Sequence, residues 1–337
     1  MASRKLAKVL STRDGEIMPS RLRWLYNTVE HTPAATDKNT FGVVGFVKEY
    51  PDQADLTSFM TKFDSEAEAT TFTVVPVNGD EDDPSIPGTE EASIDVQYAS
   101  AMAYPTPIIF YSVGGGGEWS DTTSEPLPGD SYNEWLKYLL DLPKIPQTIS
   151  ISYGYAEQAF PLEYAKAVCR LFAQLGARGV SVLYPSGVDG VGPGTCKDGS
   201  GNVRFIPEFP SSCTFGVLPS LPTTAQTKYK PLTKPPFPPG PFVTSVGGTM
   251  GGTTGQTGHD PEVVASMSGG GFSDHFSRLP YQVSAVSQYL QYLQELGDKY
   301  TGLYKYARCS CLFLPFFICT TLRVVPTPTS PRNLSIS

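Results

Sequence analysis

Long apolar runs are missing from this sequence of 337 residues. The longest, Leu312 to Ile318, is much shorter than the roughly 20 residues that a membrane-spanning helix needs. Met1 to Lys5 is basic enough to begin a secretory signal, but the residues that follow, 6–14, contain no apolar core. We therefore expect no membrane partner and no signal peptide in this chain.

Positive charge and histidine are also scarce. The 25 Lys and Arg residues are outnumbered by 33 Asp and Glu, and the formal net charge is −8. Because the basic residues form no cluster, we expect no nucleic acid partner. The sequence has 3 histidines, and none lies near Cys309, Cys311 and Cys319, whose spacing matches no zinc pattern. We therefore expect no metal site.

The other cysteines predict one cross-link. Cys169 falls within a predicted helix, where we interpret it as a buried thiol. Cys196 and Cys213 flank a polar loop and can pair. A disulfide between them would imply an oxidising compartment.

The sequence alternates between short apolar runs, which predict strands, and segments of helical period. Thr89 is the predicted N-cap of the first helix, and Gly176 is the predicted stop of the last. The predicted strands are residues 40–47, 70–77, 107–111, 147–152 and 180–184, and the predicted helices are residues 90–103, 133–142 and 162–175. Such alternation with short links predicts βαβ units, and hence an α/β fold with a parallel sheet.

The ends of the predicted strands are where we expect chemistry, because active groups gather beyond the carboxyl ends of parallel strands. Loops that begin at Gly114, Tyr153 and Ser186 leave such ends. The glycines that start at Gly114 lack the spacing of a nucleotide-binding loop. The acidic loop 79–88 lacks the EF-hand pattern, so we interpret it as a solvated loop rather than a calcium site.

Three groups of residues occur in an order and spacing that point to one family. They are residues 91–98 (EASIDVQY), residues 147–154 (QTISISYG) with 179–183 (GVSVL), and residues 241–249 (PFVTSVGGT) with 268–273 (SGGGFS). Together they resemble the sedolisins, serine-carboxyl peptidases that act in acid, and in particular the fungal tripeptidyl-peptidases. The resemblance implies a subtilisin-like parallel sheet with helices on both faces. It also implies a secreted monomer that acts on peptide or protein substrates.

The resemblance assigns the catalytic carboxylates. Sedolisins use Glu where subtilisins use His, since a carboxylate stays ionised at a pH where imidazole is protonated. The position of this base is Glu91, and that of its supporting carboxylate is Asp95, four residues later on the same helix face. From spacing alone, both residues are typical of surface acids near a helix start.

The same resemblance assigns the groups that would contact a peptide. Ser152, Tyr153 and Gly154, with Ser268, Gly269 and Gly270, match the substrate-lining segments, although such glycines can also serve only to permit tight turns.

The oxyanion position departs from the family. Sedolisins read Ser-Gly-Asp-Ser-Gly where this chain reads SGVDG over residues 186–190, so Val188 occupies the position of the oxyanion-binding Asp. Asp189, one residue along, can substitute for it or can be a turn residue beside glycine.

The nucleophile of the family is absent from this sequence. Neither the Gly-Thr-Ser motif that carries it nor a G-x-S-x-G motif occurs, and the calcium loop of the family is also missing. We therefore expect a peptidase domain that is truncated at its C-terminus, holds no calcium itself and is inactive. The alternative is a pseudopeptidase that binds extended peptides without cleaving them.

Two stretches interrupt the family pattern. Residues 214–240 are proline-rich and aperiodic, and they separate Cys213 from Pro241 where relatives join Cys directly to Pro. The tail 305–337 has no clear period. Both stretches have the features expected of introns that were retained and translated. We divide the chain into a remnant of a pro-segment or linker (1–16), a partial peptidase domain (17–304) and this aberrant tail.

Overall fold

The structure is a computed structural model, and it describes residues 17–80, 85–115, 129–190, 192, 205–213, 242–250, 263–295 and 312–313. Cys196, the interruption 214–240, and the tail apart from residues 312–313 lie outside the described residues.

Short strands alternate with helices through most of this region, and we number both in chain order. The strands are β1 Phe41–Phe46, β2 Phe72–Val77, β3 Ile108–Val113, β4 Thr148–Ile151, β5 Tyr155–Ala156, β6 Ser181–Pro185, β7 Glu208–Phe209, β8 Thr244–Val246, β9 Thr249–Met250, β10 Val263–Val264, β11 Gly271–Phe272 and β12 Leu312–Phe313. The α-helices are α1 Pro19–Leu25, α2 Gln53–Phe63, α3 Glu90–Ala103, α4 Gly129–Asp141, α5 Leu162–Ala177 and α6 Val283–Glu295.

The parallel sheet predicted from the sequence is confirmed. Within the described residues it has six strands in the order β2-β3-β1-β4-β6-β8, and each pairs in parallel with its neighbours. The five predicted strands correspond to β1, β2, β3, β4 and β6, with ends that differ by one or two residues. The carboxyl ends of these strands therefore lie along one edge of the sheet, as a βαβ arrangement requires.

Helices cover both faces of the sheet, which explains why its strands are apolar throughout. Successive residues of β1 point to opposite faces. Val43 is buried with residues of α2 and α3, whereas Val44 is buried with residues of α4 and α5.

The predicted helix ends need three corrections. Helix α4 begins at Gly129, four residues before the predicted start at residue 133. Helix α3 begins after Thr89, as predicted, but the Thr89 hydroxyl does not cap it; that hydroxyl accepts from the Tyr50 backbone N–H at 3.1 Å. Helix α5 does not stop at Gly176 but continues to Ala177. The chain turns away from the helix direction at Gly179, two residues after the helix ends. Its φ of +83° is one that a residue with a side chain rarely adopts.

The disulfide prediction was wrong. Cys213 pairs with Cys169, not with Cys196, and the Cα atoms of the pair are 5.3 Å apart. Cys169 lies on the inner face of α5, and Cys213 is buried in the same hydrophobic cluster, so the fold brings together two residues 44 positions apart. The interpretation of Cys169 as a free buried thiol is corrected by the same bond.

Two short strands, β8 and β12, lie away from the centre of the sheet. Strand β8 lies at an edge of the sheet, with 46% of Val246 exposed. Strand β12, in the predicted tail, pairs antiparallel with β11. Across the described part of the chain, none of the helices has the length and apolar character that crossing a membrane requires.

Candidate active site

The first turn of α3 is tied to the loop that follows β1. The Thr89 backbone N–H donates to the Tyr50 carbonyl at 2.8 Å, and the Thr89 hydroxyl accepts from the Tyr50 N–H. These bonds hold the start of α3, and therefore Glu91 and Asp95, near the carboxyl end of the central strand β1.

Asp95 and Ser152 are brought together from separate elements. The Ser152 hydroxyl, which follows β4, donates to Asp95 Oδ1 at 2.7 Å. Ser152 also lies close enough to Glu91 to lower its pKa. Glu91 is exposed, whereas Asp95 lies further inside the fold. The outer carboxylate can therefore reach a bound molecule, and the inner one cannot do so without displacing its neighbours.

A third carboxylate, Glu49, was missed by the sequence reasoning. It follows β1, its Oε2 is buried, and that atom has no hydrogen-bond partner among the residues that the structure describes. Its charge raises the pKa of Glu91, of Asp95 and of the Tyr153 hydroxyl. The signal that could have found it is its place after a buried strand, where active groups gather.

Burial is the main cause of the unusual protonation of this pair. It raises the pKa of Glu91, and the charge of Glu49 adds to the effect. For Asp95, burial together with the charges of Glu91 and Glu49 outweighs the Ser152 hydrogen bond and raises the pKa to about 7. At acid pH, Asp95 is therefore protonated. Glu91 and Asp95 then share at least one proton instead of being two ionised carboxylates.

The variant Asp95→Asn is expected to change the pH dependence of stability. Because the pKa of Asp95 rises from its ordinary 3.8 to about 7 on folding, the folded state binds more protons than the unfolded state between those values. Stability then falls as pH rises from about 4 to about 7. Asn cannot ionise, so the variant should be more stable than the parent by about 2 kcal/mol at pH 7. This is half the ~4 kcal/mol of the full shift, because solvent partly screens the group.

Urea unfolding at about pH 4, 5.5 and 7 measures this difference, which should vanish at the lowest pH. Glu134→Gln, at an exposed residue of α4 that pairs with Lys137, is the matched control. Parallel stability curves for the parent and Asp95→Asn would contradict the assignment of a raised pKa to this carboxyl.

Two of the other predicted segments are joined along one wall. Residues 186–190 are joined to residues 267–270 by three backbone bonds, among them Gly269 N–H to the Gly187 carbonyl at 2.7 Å and Gly270 N–H to the Gly190 carbonyl at 2.8 Å. The hydroxyls of Ser186 and Ser268 lie 3.4 Å apart. We call residues 152–154, 186–190 and 268–270 the cleft segments.

A cavity of about 160 Å³ lies between the cleft segments. Its lining includes Gly154, Gly187, Gly269, Asp189 and Glu208. The Glu208 carboxylate is held between two glycines, because a Cβ at Gly154 or at Gly187 would overlap its oxygens. Burial, followed by the charge of Asp189, raises the pKa of Glu208 to about 7. The sequence reasoning missed Glu208, which lies in no motif.

The two candidates for the oxyanion position differ in where they lie. Val188 is 67% exposed and is not part of the cavity lining, whereas Asp189 is. Positive φ angles at Gly187 and Gly190 shape this turn. The geometry therefore places the carboxyl of Asp189, and not the side chain of Val188, beside the space that a ligand would enter.

The resemblance implies calcium for a complete family domain, and the side chains present here do not fit it. Among the described residues, no three His, Cys, Asp or Glu side chains come together as a possible metal site. Glu49, Glu91 and Asp95 influence one another electrostatically but do not converge on a common point.

Comparisons with known proteins bear on this site. The chain is 36% identical over 292 residues to tripeptidyl-peptidase SED2 of Arthroderma otae, a match that covers 84% of this chain and 43% of that protein. It is 34% identical over 298 residues to tripeptidyl-peptidase SED4 of the same fungus, covering 86% of this chain and 43% of the relative. The chain thus spans less than half the length of these relatives. No protein-family profile matches it.

A solved structure is similar in fold. It is that of Pseudomonas sedolisin, a serine-carboxyl proteinase, complexed with two molecules of pseudo-iodotyrostatin. The TM-score is 0.50 at 19% identity, over 80% of this chain and 66% of that one. At this identity, the likeness concerns the fold alone.

Proposed function

We propose that this chain belongs to the sedolisin family of serine-carboxyl peptidases, with Glu91 as the general base of an acid peptidase site and Asp95 as its positioning partner. The observation that carries this proposal is the hydrogen bond from Ser152 to Asp95 with Glu91 at its exposed side. It unites two motifs that lie 57 residues apart in the sequence. A surface pair of acids on a helix would have no such partner.

The chemistry follows from the different surroundings of the two carboxylates. Glu91 is exposed and can take a proton from an attacking hydroxyl, which makes that oxygen nucleophilic. Asp95 is protonated in acid. Its proton can lie close to Glu91 and stabilise the negative charge that Glu91 carries before it accepts the proton of the hydroxyl. The raised pKa of Asp95 suits its protonated supporting role. Because Glu91 must be ionised to accept a proton, its raised pKa moves the pH range of that role upward from that of an ordinary surface carboxyl.

The family's nucleophile motif has no match in this sequence. Because no Gly-Thr-Ser motif occurs among the 337 residues, we propose that this polypeptide alone forms no acyl-enzyme and does not hydrolyse peptides. Tripeptidyl-peptidase activity belongs to the named relatives, and it remains a proposal for any longer protein that includes this chain.

We propose that the oxyanion site is weak, both in this polypeptide and in any longer protein that includes it. A valine at position 188 has no hydrogen to donate, and the loss of one oxyanion donor typically lowers kcat by about 10²–10³-fold. The place of Asp189 in the cavity lining supports its role as the substitute donor.

A second function, peptide binding without cleavage, is favoured by the cavity between the cleft segments. The backbone N–H groups of Gly269 and Gly270 are already bonded within its wall. Two acidic residues, Glu208 and Asp189, are among the residues that line it, so charge is the feature that would select a ligand. We propose that this cavity takes a basic side chain of the peptide.

An alanine-based hexapeptide with one central lysine is expected to bind about fivefold more tightly than the same peptide with methionine, measured by fluorescence anisotropy above pH 7. The ratio corresponds to about 1 kcal/mol, the upper range for a partly exposed ion pair. In Glu208→Gln the ratio should approach one. It should also fall in the parent below about pH 7, because Glu208 becomes protonated there.

The matched control is Glu163→Gln, which removes an exposed carboxyl of α5 that pairs with Lys166 and lies outside the cleft. An equal lysine preference in the parent and in Glu208→Gln would rule out the cavity as the basic subsite. If neither peptide binds, the peptide-binding function itself fails.

We further propose an extracellular location. The Cys169–Cys213 disulfide supports it, because such bonds persist in oxidising compartments. Calcium remains a proposal for the complete family domain.

A further inference from the structure

Glu157 is the most deeply buried carboxylate that the proposed chemistry does not use. It lies in the short 3₁₀ turn after β5 and is 0% exposed. Its backbone N–H donates to the Pro207 carbonyl at 2.9 Å. The residue is therefore anchored to the part of the fold that includes the end of β4 and the short pair formed by β5 and β7.

The side chain of Glu157 binds a distant turn. Its Oε1 accepts from the Ser273 hydroxyl at 2.5 Å, and its Oε2 accepts from the backbone N–H groups of Asp274 at 2.7 Å and His275 at 3.2 Å. The Ser273 oxygen in turn accepts from the backbone N–H of Phe276 at 2.9 Å. One carboxylate thus fixes four consecutive residues that lie more than a hundred positions further along the chain.

Every group that faces the two Glu157 oxygens in these bonds is a donor. An ionised carboxylate, which only accepts, satisfies them all, whereas an amide or a protonated carboxyl would turn its own hydrogen toward another hydrogen. Burial raises the pKa of Glu157, and the nearby Ser212 and Ser273 hydroxyls and His275 offset part of that rise. The donors that face both oxygens match the ionised carboxylate and do not match an amide.

The turn that Glu157 holds continues directly from a cleft segment. Residues 268–270 lead into β11, which ends one residue before Ser273. Among the described residues, β11 pairs with β12 and not with the central sheet. The cleft segment 268–270 is bonded on one side to residues 187 and 190. At its far end the Glu157 carboxylate links the turn to the body of the fold, and bonds between Gln158 and Asp274 (2.7 Å) and between His275 and the Phe160 carbonyl (2.9 Å) add to this link.

We propose that Glu157 is a positioning residue that holds the cleft segment 268–270 in the geometry that accepts a peptide backbone. This inference rests on the proposed peptide-binding function. Glu157 touches no substrate itself; it acts through Ser273 and the turn 273–276. A cleft segment without this carboxylate keeps its backbone bonds to residues 187 and 190 and the bonds from Gln158 and His275, but it is held less firmly relative to residues 152–154, the opposite wall.

Two measurements on the full chain test the proposal. Hydrogen–deuterium exchange followed by mass spectrometry compares the uptake of residues 268–276 with that of β1, β3 and β4. Fluorescence anisotropy with the lysine hexapeptide gives the affinity. In Glu157→Gln we expect the rate of deuterium uptake over residues 268–276 to rise about tenfold. The affinity for the lysine hexapeptide should fall by about the same factor. This is the effect of losing a charged hydrogen bond. Exchange in the three sheet strands should stay unchanged.

Further variants separate positioning from a general loss of stability. Ser273→Ala removes one donor and should give the same local pattern more weakly, while Ser273→Thr keeps the hydroxyl and should restore the parent values. Glu163→Gln should change neither measurement. Should Glu157→Gln fail to fold, the serine pair carries the test alone.

Each outcome decides the matter. Unchanged exchange over 268–276, exchange that rises equally in the sheet strands, or a loosened segment with unchanged peptide affinity would overturn the proposal. If the parent chain binds no peptide, the proposed function fails, and the exchange pattern alone then shows whether Glu157 holds the segment.

Discussion

The purified 337-residue polypeptide is expected to release no product from a tripeptide-blocked fluorogenic substrate at about pH 4. The reason is chemical: the carboxylates Glu91 and Asp95 can move a proton, but no Gly-Thr-Ser serine is present to form the acyl-enzyme. Relative to an intact peptidase, the loss is at least about 10⁶-fold, since enzymes accelerate reactions by that factor or more. Any product release that is measured should therefore be zero or should come from a contaminating peptidase.

The controls distinguish these two readings. Tripeptidyl-peptidase SED2 of Arthroderma otae serves as the positive control for substrate and buffer. Pepstatin removes the contribution of contaminating aspartic peptidases, and Glu91→Ala removes that of the chain's own base. Release that survives pepstatin and disappears in Glu91→Ala would contradict the prediction, and would require a nucleophile other than the family's serine.

The second large effect concerns the disulfide. Replacing both Cys169 and Cys213 by Ala is expected to lower the free energy of unfolding by about 4 kcal/mol. The bond closes a loop of 44 residues and so restricts the unfolded chain, and its two ends are buried in the core beside α5. For a domain of ordinary stability, a loss of this size leaves a substantial unfolded fraction at physiological temperature. Urea unfolding of the oxidised parent and of the double variant measures the difference.

Cys196→Ala is the matched control, because it tests the pairing that the sequence had favoured. It should leave the unfolding curve unchanged, and peptide mapping without reduction should recover Cys169 and Cys213 in one cross-linked fragment. A loss of stability in Cys196→Ala equal to that of the double variant would overturn the pairing seen in the structure.

The parallel sheet is the part of the structure that the sequence predicts best. Its strands are buried on both faces, so each is a short apolar run with a polar residue or a glycine near its ends, and a run such as β1 has few alternative interpretations. Helix ends are less predictable, because a residue such as Thr89 can bond to a distant loop instead of to its own helix. Helix α2 was missed although Leu56, Met60 and Phe63 recur at helical spacing and Asp52 caps its start.

The site divides in the same way. Glu91 and Asp95 lie in a continuous motif, and their spacing on one helix face can be read directly. Glu49, Glu157 and Glu208 lie in no motif, and each acquires its significance only from residues that the fold brings close to it. The cysteine pairing failed for the same reason, since it depends on which face of α5 meets the turn at Cys213.

The buried position of Cys213 also bears on how this gene can change. Cys213 and Val243 lie in one hydrophobic cluster, so the chain departs from the core and rejoins it within the same body of packed side chains. The entropy cost of lengthening such a connection grows only with the logarithm of its length. Genetic material inserted between these two positions, as residues 214–240 are predicted to be, would therefore be tolerated by folding more readily than an insertion within a strand. A change in the length of this connection is therefore compatible with the packing of Cys213 and Val243 in the core.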